Sequence, residues 1–335
     1  MCAAQARDCA VVGAGYWGKN LARNFAQLGA LHSVVDADAE RAGAIAGLYE
    51  GVAAITSIDD VLNDPTVGKL AIATPPHTHP ELVEAALEAG KDVFVEKPIC
   101  NDLDTAEDLA ARARADDRVL MVGHLMQYHP VIRAAAGAIA EGRLGRVGYV
   151  ECRRCNIGKI YTERNVLWNF GPHDLTLVLL ALPRAVPVAV SCHGADLLAG
   201  GEHDLVQLRI RFDGGEQAFI TLSWLSPVKE QRMFVYGDAG SLVVDDTAAW
   251  DDKCIIYPGH DGRRDGRQGR DGLPAEERPA IAAGEPLRDE CAHFLACCNE
   301  RREAETGPTQ FLAVARLLDA AQRSLDADGR EIDIA

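Results

Sequence analysis

Three short stretches hold the side chains whose types and spacing can do chemistry. "LWNFGPHDLTLVLLAL" (167–182) sets Asn169, His173 and Asp174 at the mouth of an otherwise apolar helical run. An imidazole there is suited to take a proton from a hydroxyl. The competing reading is capping, because Asp suits a first helical turn and Pro172 a first helical position. "VFVEKP" (93–98) ends a β-rich run with Glu96 and Lys97. That lysine either directs its ammonium at a substrate hydroxyl or a nicotinamide ribose, or it is a solvated lysine paired with Glu96. Position alone admits both. "VVGAGYWGKN" (11–20) supplies Gly13, Gly15 and Gly18 in GxGxxG spacing, after a strand and at the opening of a helix. In that context Gly13 permits the turn, Gly15 lets backbone approach a pyrophosphate, and Gly18 lets the helix lie close to the strand. The helix N-terminus then offers N–H groups and its positive dipole end to the diphosphate. Asp36 ends the second strand, where a carboxylate accepts bonds from ribose hydroxyls and repels a 2′-phosphate; Arg41 lies a helical turn further on. NAD is therefore expected over NADP.

The elements that must position these groups follow from hydrophobic period. Up to residue 123, short apolar β-branched runs ("DCAVVG", "LHSVVDAD", "VAAIT", "KLAIATP", "DVFVEKP", "RVLMVG") alternate with helical patterns. Fully apolar strands alternating with helices predict a parallel sheet covered on both faces, a doubly wound Rossmann α/β domain over 1–123. Ligands of such sheets bind at the C-terminal ends of the strands, where "ATPPHTHP" (73–80) and "EKP" (96–98) fall. From 124 the pattern changes. A helix over 130–141 leads into strands with two-residue alternation, as in "DLVQLRIRF", followed by "QAFITLSW", "QRMFVYG" and "GSLVVDD". These predict an α+β domain over 124–335 with an open, mostly antiparallel sheet and helices on one face. Two amphipathic helices, 287–300 and 309–326, close the chain. The aperiodic stretch "GHDGRRDGRQGRDG" (259–272) reads as a mobile loop.

Composition excludes several function classes. The chain has 335 residues, which favours two domains, and a formal net charge of −16. That balance argues against nucleic acid or an anionic membrane as partner. No apolar run approaches the roughly twenty residues needed to cross a bilayer, and the N-terminus lacks a signal peptide's basic start, so a cytoplasmic protein is expected. Of ten cysteines, Cys152 and Cys155 form the one CxxC. It falls in a predicted strand, where residues three apart point to opposite faces, which is poor geometry for one metal. His77, His79, His124 and His129 have no carboxylate cage around them and read as hydrogen-bonded loop histidines. No metal is expected. Arg153, Arg154, Lys159, Arg164, Lys229 and Arg232 form a basic group in this acidic chain. They suit the phosphates of a sugar nucleotide, or equally a solvated patch or subunit contact.

Taken together, "AVVGAGYWGKN", "ATPPHTH", "VFVEKP", "VGHLMQYHP" and "LWNFGPHD" resemble, in order and spacing, the glucose–fructose oxidoreductase / inositol dehydrogenase / rhizopine-catabolism (Gfo/Idh/MocA) family. The likeness continues through "SWLSPVK" and the closing helices. It implies catalysis by Lys97 and His173. It implies NAD contacts from Gly13, Gly15, Tyr16, Trp17, Gly18 and Asp36, then from Thr74, Pro75, His79, Glu96, Lys97 and Trp168. Substrate contacts are implied for Lys97, Tyr128, Arg153, Asn156, Asn169, His173 and Lys229. Many members carry Asp where this chain has Asn169, so a carboxylate–histidine dyad is in question while the base is not. With His173 in a first helical turn, the dipole would disfavour its protonated form. Within the family, the pattern is most similar to the branch that oxidises amino-sugar nucleotides at C3, including UDP-N-acetylglucosamine 3-dehydrogenases whose keto product feeds an aminotransferase. The C6-uronate is the next substrate, then an inositol or free sugar; a non-catalytic NAD-binding regulator is the alternative of another class. A homodimer or homotetramer built on the open sheet face is implied.

Overall fold

The computed structural model describes residues 6–158, 165–198, 200–259 and 274–334. The chain forms two units, Met1–Leu125 with Glu285–Ala315, and Met126–Gly284 with Arg316–Ala335.

The first unit alternates strand and helix: β1 (Cys9–Val12), α1 (Tyr16–Gln27), β2 (Leu31–Val35), α2 (Ala39–Ala46), β3 (Ala53–Ile55), α3 (Ile58–Leu62), β4 (Lys69–Ile72), α4 (His79–Glu88), β5 (Asp92–Glu96), α5 (Leu103–Ala115) and β6 (Leu120–Gly123). The six strands pair in parallel in the order β3-β2-β1-β4-β5-β6. The sheet is the predicted doubly wound one. β1, β4 and β6 are buried throughout, which is why their sequences show no alternation. The connecting helices start where side chains can cap them: Asp38 accepts from the Glu40 and Arg41 N–H groups, Ser57 from Asp59, and Asp102 from Thr105.

The second unit carries α6 (Pro130–Ala140), β7 (Val147–Ile157), α7 (Val166–Ala181), β8 (Pro187–Ala195), β9 (Leu205–Phe212), β10 (Gln217–Ser223), β11 (Leu225–Gly237), β12 (Gly240–Asp245) and β13 (Cys254–Pro258). After them come α8 (Pro286–Glu300), α9 (Pro308–Asp326) and β14 (Ile332–Asp333). Its sheet has eight strands in the order β13-β12-β11-β7-β10-β9-β8-β14. Every pairing is antiparallel except β7 with β10. In β9 the alternation is as read: Val206, Leu208, Ile210 and Phe212 are buried, and the residues between them are not.

The division of the chain differs from a cut after residue 123. α8 and the start of α9 belong to the first unit, because their apolar faces fill its core. Phe294 of α8 packs edge-on against Phe25 of α1 and Phe94 of β5, at 6.3 and 5.9 Å. Phe311 and Leu312 of α9 join the cluster around Val93, Val95 and Val122. Residues 260–272 of the expected loop, with Lys159 and Arg164, lie outside the described residues. No helix among the described residues is long and apolar enough to cross a membrane.

Candidate functional site

On the first unit, the turn between β1 and α1 has the shape its glycines require. Gly13 sits at φ +98°, and a Cβ there would meet the Ala73 carbonyl oxygen at 2.8 Å. A Cβ on Gly18 would lie 1.6 Å from the Gly13 carbonyl oxygen, so the helix can approach the strand only without a side chain. Gly15 is different. Nothing lies within 4 Å of its Cβ position, and no side chain caps α1. Open space beside uncapped first-turn N–H groups fits a diphosphate. Asp36 stands beside it: Oδ2 accepts from the Ala14 N–H at 2.8 Å and Oδ1 from the Asp38 N–H at 2.9 Å. Arg41, a turn away in sequence, folds back to 3.3 Å from the Asp36 carboxylate while also bonding Asp38. Tyr16 and Trp17 are exposed and stand edge to face at 5.8 Å, with the Lys19 ammonium 5.0 Å from the Tyr16 ring centroid.

The loops after β4 and β5 are clipped together by a histidine. His79 is buried, its Nδ1 2.7 Å from the Pro98 carbonyl oxygen and its Nε2 2.9 Å from that of Thr74. The Thr74 and Thr78 hydroxyls are 2.7 Å apart, and Thr78 also donates to the Pro75 carbonyl. Glu96 ends β5 and Lys97 follows through a cis Lys97–Pro98 peptide. Burial pushes the Glu96 carboxyl up to about 7, against the pull of the Lys97 ammonium. His124, after β6, lies 2.8 Å from Gln310 of α9, and burial pushes its imidazole down to about 4.

Sequence reading missed Glu290. It occupies the buried face of α8, one turn before Phe294, and neither carboxylate oxygen has a hydrogen-bond partner. Burial, then the charge of Glu96, holds its carboxyl well above the usual range. The signal was an acid standing four residues before a core phenylalanine on an amphipathic helix.

On the second unit, α7 begins earlier than expected. Asn165 is its cap, the side chain accepting from the Trp168 N–H at 3.4 Å, and Pro172 lies inside the helix. His173 is therefore about two turns in rather than in the first turn, where the dipole acts, and that argument for a neutral imidazole does not apply. Pro172 removes one helical hydrogen bond, and the Thr176 hydroxyl donates to the Pro172 carbonyl at 2.8 Å. Asp174 neither caps nor faces solvent. It is buried and receives Arg154 of β7, Nε to Oδ2 at 2.6 Å and Nη2 to Oδ1 at 3.4 Å. Trp168 donates its indole N–H to Gln322 of α9 at 3.0 Å. Asn169 and His173 are half-buried on the same helix.

Arg153 is not brought together with that group. Neighbouring strand residues point to opposite faces; Arg154 faces α7, while Arg153 turns away and binds Glu230 at 3.1 Å. Arg232 is likewise held by Asp245 at 2.6 Å. Lys229 is exposed near the start of β11. Tyr128 is fully buried, with the Arg133 guanidinium 5.1 Å over its ring. Asn156, near the end of β7, buries an Oδ1 that receives no hydrogen bond. Cys152 and Cys155 are both buried and free. Among the described residues no group of three or more His, Cys, Asp or Glu side chains is placed to hold a metal ion.

Comparison with known proteins agrees with this layout. Residues 7–124 match the Gfo/Idh/MocA oxidoreductase family's NAD-binding Rossmann fold, and residues 132–243 match a C-terminal domain of the same family. The chain is 30% identical to the UDP-N-acetylglucosamine 3-dehydrogenase of Acidithiobacillus ferrooxidans over 67% of its own length and 70% of that enzyme's. The solved structure of that enzyme, GnnA, superposes with a TM-score of 0.83 at 24% identity, covering 96% of this chain and 99% of that one. Inositol 2-dehydrogenase of Rhizobium meliloti is 27% identical over 91% of this chain and 92% of its own. GenD2 from gentamicin A biosynthesis, solved with NAD, has a TM-score of 0.80 at 25% identity, covering 99% and 97%.

Proposed function

The chain belongs to the Gfo/Idh/MocA family of NAD-binding oxidoreductases, and from that premise we propose that it oxidises the C3 hydroxyl of UDP-N-acetylglucosamine to a 3-keto sugar nucleotide. The observation that carries this reading is the 30% identity to an enzyme of that name over two thirds of the chain. NAD, when bound, supplies the hydride acceptor. His173 takes the hydroxyl proton as general base. Lys97 steadies the developing alkoxide with its positive charge, and Glu96 tempers that charge from the end of β5. The orphan Oδ1 of Asn156 is supporting evidence for a hydroxyl- or amide-rich ligand, since a buried acceptor calls for a donor. With Arg153, Arg154 and Arg232 committed to Glu230, Asp174 and Asp245, Lys229 is, among the described residues of that basic group, the candidate for the diphosphate. A soluble cytoplasmic homo-oligomer feeding its product to an aminotransferase completes the proposal.

A second reading, the C6-uronate as substrate, is favoured by nothing specific among the described residues. The inositol dehydrogenase likeness supports a free polyol. Nicotinamide absorbance separates them: protein, NAD and an excess of each sugar, with a 3-aminotransferase and glutamate added to draw the equilibrium forward. NADH is expected with UDP-N-acetylglucosamine, with Lys97→Ala and His173→Ala each losing a hundredfold or more in kcat. NADH only with the uronate or only with inositol overturns the substrate, and turnover intact in both variants overturns the mechanism.

A further inference from the structure

The second unit holds a buried ion pair that the proposed chemistry leaves unused. Arg154 and Asp174 are 7% and 1% exposed, and they join the middle of β7 to the residue that follows His173. A buried pair of this kind adds little net stability against well-packed apolar side chains, so its value lies elsewhere. The start of α7 is tied to α9, Asn165 and Trp168 both donating to Gln322, and the Arg154–Asp174 bridge is a polar tie from the middle of the helix to the sheet. The surface of α7 is apolar almost all round and Pro172 interrupts its hydrogen-bond ladder. A two-point guanidinium–carboxylate fork adds to that apolar packing a directional constraint that apolar contacts lack. Successive helical residues are about 100° apart, so fixing Asp174 inward fixes His173 on the adjacent, half-exposed flank.

We propose that Arg154 and Asp174 are positioning residues for His173: their bridge sets the rotation of α7 and cancels a charge that would otherwise act on the neighbouring imidazole. This rests on reading His173 as the base. Among the described residues, charged and titratable groups lie on each element packed against the pair; α9, which meets α7 at Trp168, carries Arg316, Asp319 and Arg323, the last two paired at 3.5 Å. β7 adds the Cys152 and Cys155 thiols, which burial pushes up with Asp174 contributing. Asp246, after β12, acts on Arg154 from a distance. β10 brings no titratable side chain, the arginines of β9 bind Gln217 and Glu331, and α6 contributes Arg133, which lies over Tyr128.

The two variants of the pair have different consequences. Without Asp174, Arg154 stays charged, because a guanidinium does not deprotonate in a protein. Without Arg154, the buried Asp174 takes up a proton and becomes neutral. The test is an NMR titration of the His173 imidazole in wild type, Asp174→Asn, Arg154→Met and the double variant Arg154→Met/Asp174→Leu, with kcat, KM and thermal midpoint measured alongside. Asp174→Asn is expected to lower the imidazole midpoint by about one pH unit, and the double variant to return it to wild type. The double variant should keep its thermal midpoint yet lose about tenfold or more in kcat with KM little changed. An Asp174→Asn midpoint equal to wild type, or a double variant with wild-type kcat, overturns the proposal and leaves the pair purely structural. Absence of turnover in wild type with the NMR shift present would instead count against the substrate assignment alone.

Discussion

Gly15 and Gly18 look alike in sequence and differ in what surrounds them. A Cβ at Gly18 collides with backbone at 1.6 Å, and one at Gly15 enters open space. Gly18→Ala is expected to prevent folding of the first unit. Gly15→Ala should fold with an unchanged thermal midpoint and lose NAD affinity tenfold or more, as isothermal titration would read. If both variants behave alike, the assignment of separate roles to the two glycines fails. The glycine spacing itself was legible in the sequence; which of them meets backbone and which meets solvent was not, because that depends on the crossing of helix over strand.

At the scale of elements, α8 carries the clearest conflict between stability and chemistry. Glu290 is buried without a partner beneath β5, and Glu96 is its acidic neighbour. Both carboxyls are raised in the fold, so both bind protons more tightly folded than unfolded. Their contribution is fully present below the ordinary carboxyl range near 4.5 and is lost as pH rises, for Glu96 through about 7. Glu290→Met should therefore stabilise by about 1 kcal/mol or more, or about 2–4 °C in Tm, with the gain larger at pH 8 than at pH 5. A gain that shrinks with rising pH would mean that Glu290 is ionised and paired. The same scale explains the misplaced start of α7. "LWNFGPHD" carries Pro and Asp in the order of a helix start, but Asn165 caps the helix earlier and Asp174 is engaged by Arg154 instead.

For the whole molecule, the consequence concerns how the chain is shared between its two cores. The first unit takes α8 and the beginning of α9 from beyond residue 284. A fragment ending at residue 125 would expose the faces of Phe25 and Phe94 that Phe294 covers, together with the cluster that Phe311 and Leu312 complete. Such a fragment is expected to lack a cooperative thermal transition. The same fragment joined by a flexible linker to 285–315 should regain one, and NAD at a hundred times its Kd should add about 2.7 kcal/mol to its stability. A cooperative transition in the short fragment would show that the returning helices are dispensable.

The amino-acid sequence by itself determined the parallel sheet, the glycine turn, the carboxylate at the end of β2 and the lysine at the end of β5, because each is written in neighbouring residues: apolar runs, a fixed glycine spacing, a side chain at a strand's end. Only the tertiary structure decided that Arg154 rather than Arg153 meets α7, that Arg41 returns to Asp36, that Glu290 lies beside Glu96, and that α8 serves the first core. Those facts join residues far apart along the chain or on opposite faces of a strand. Hydrophobic period tells which side of an element is buried, and it cannot tell what the buried side is buried against.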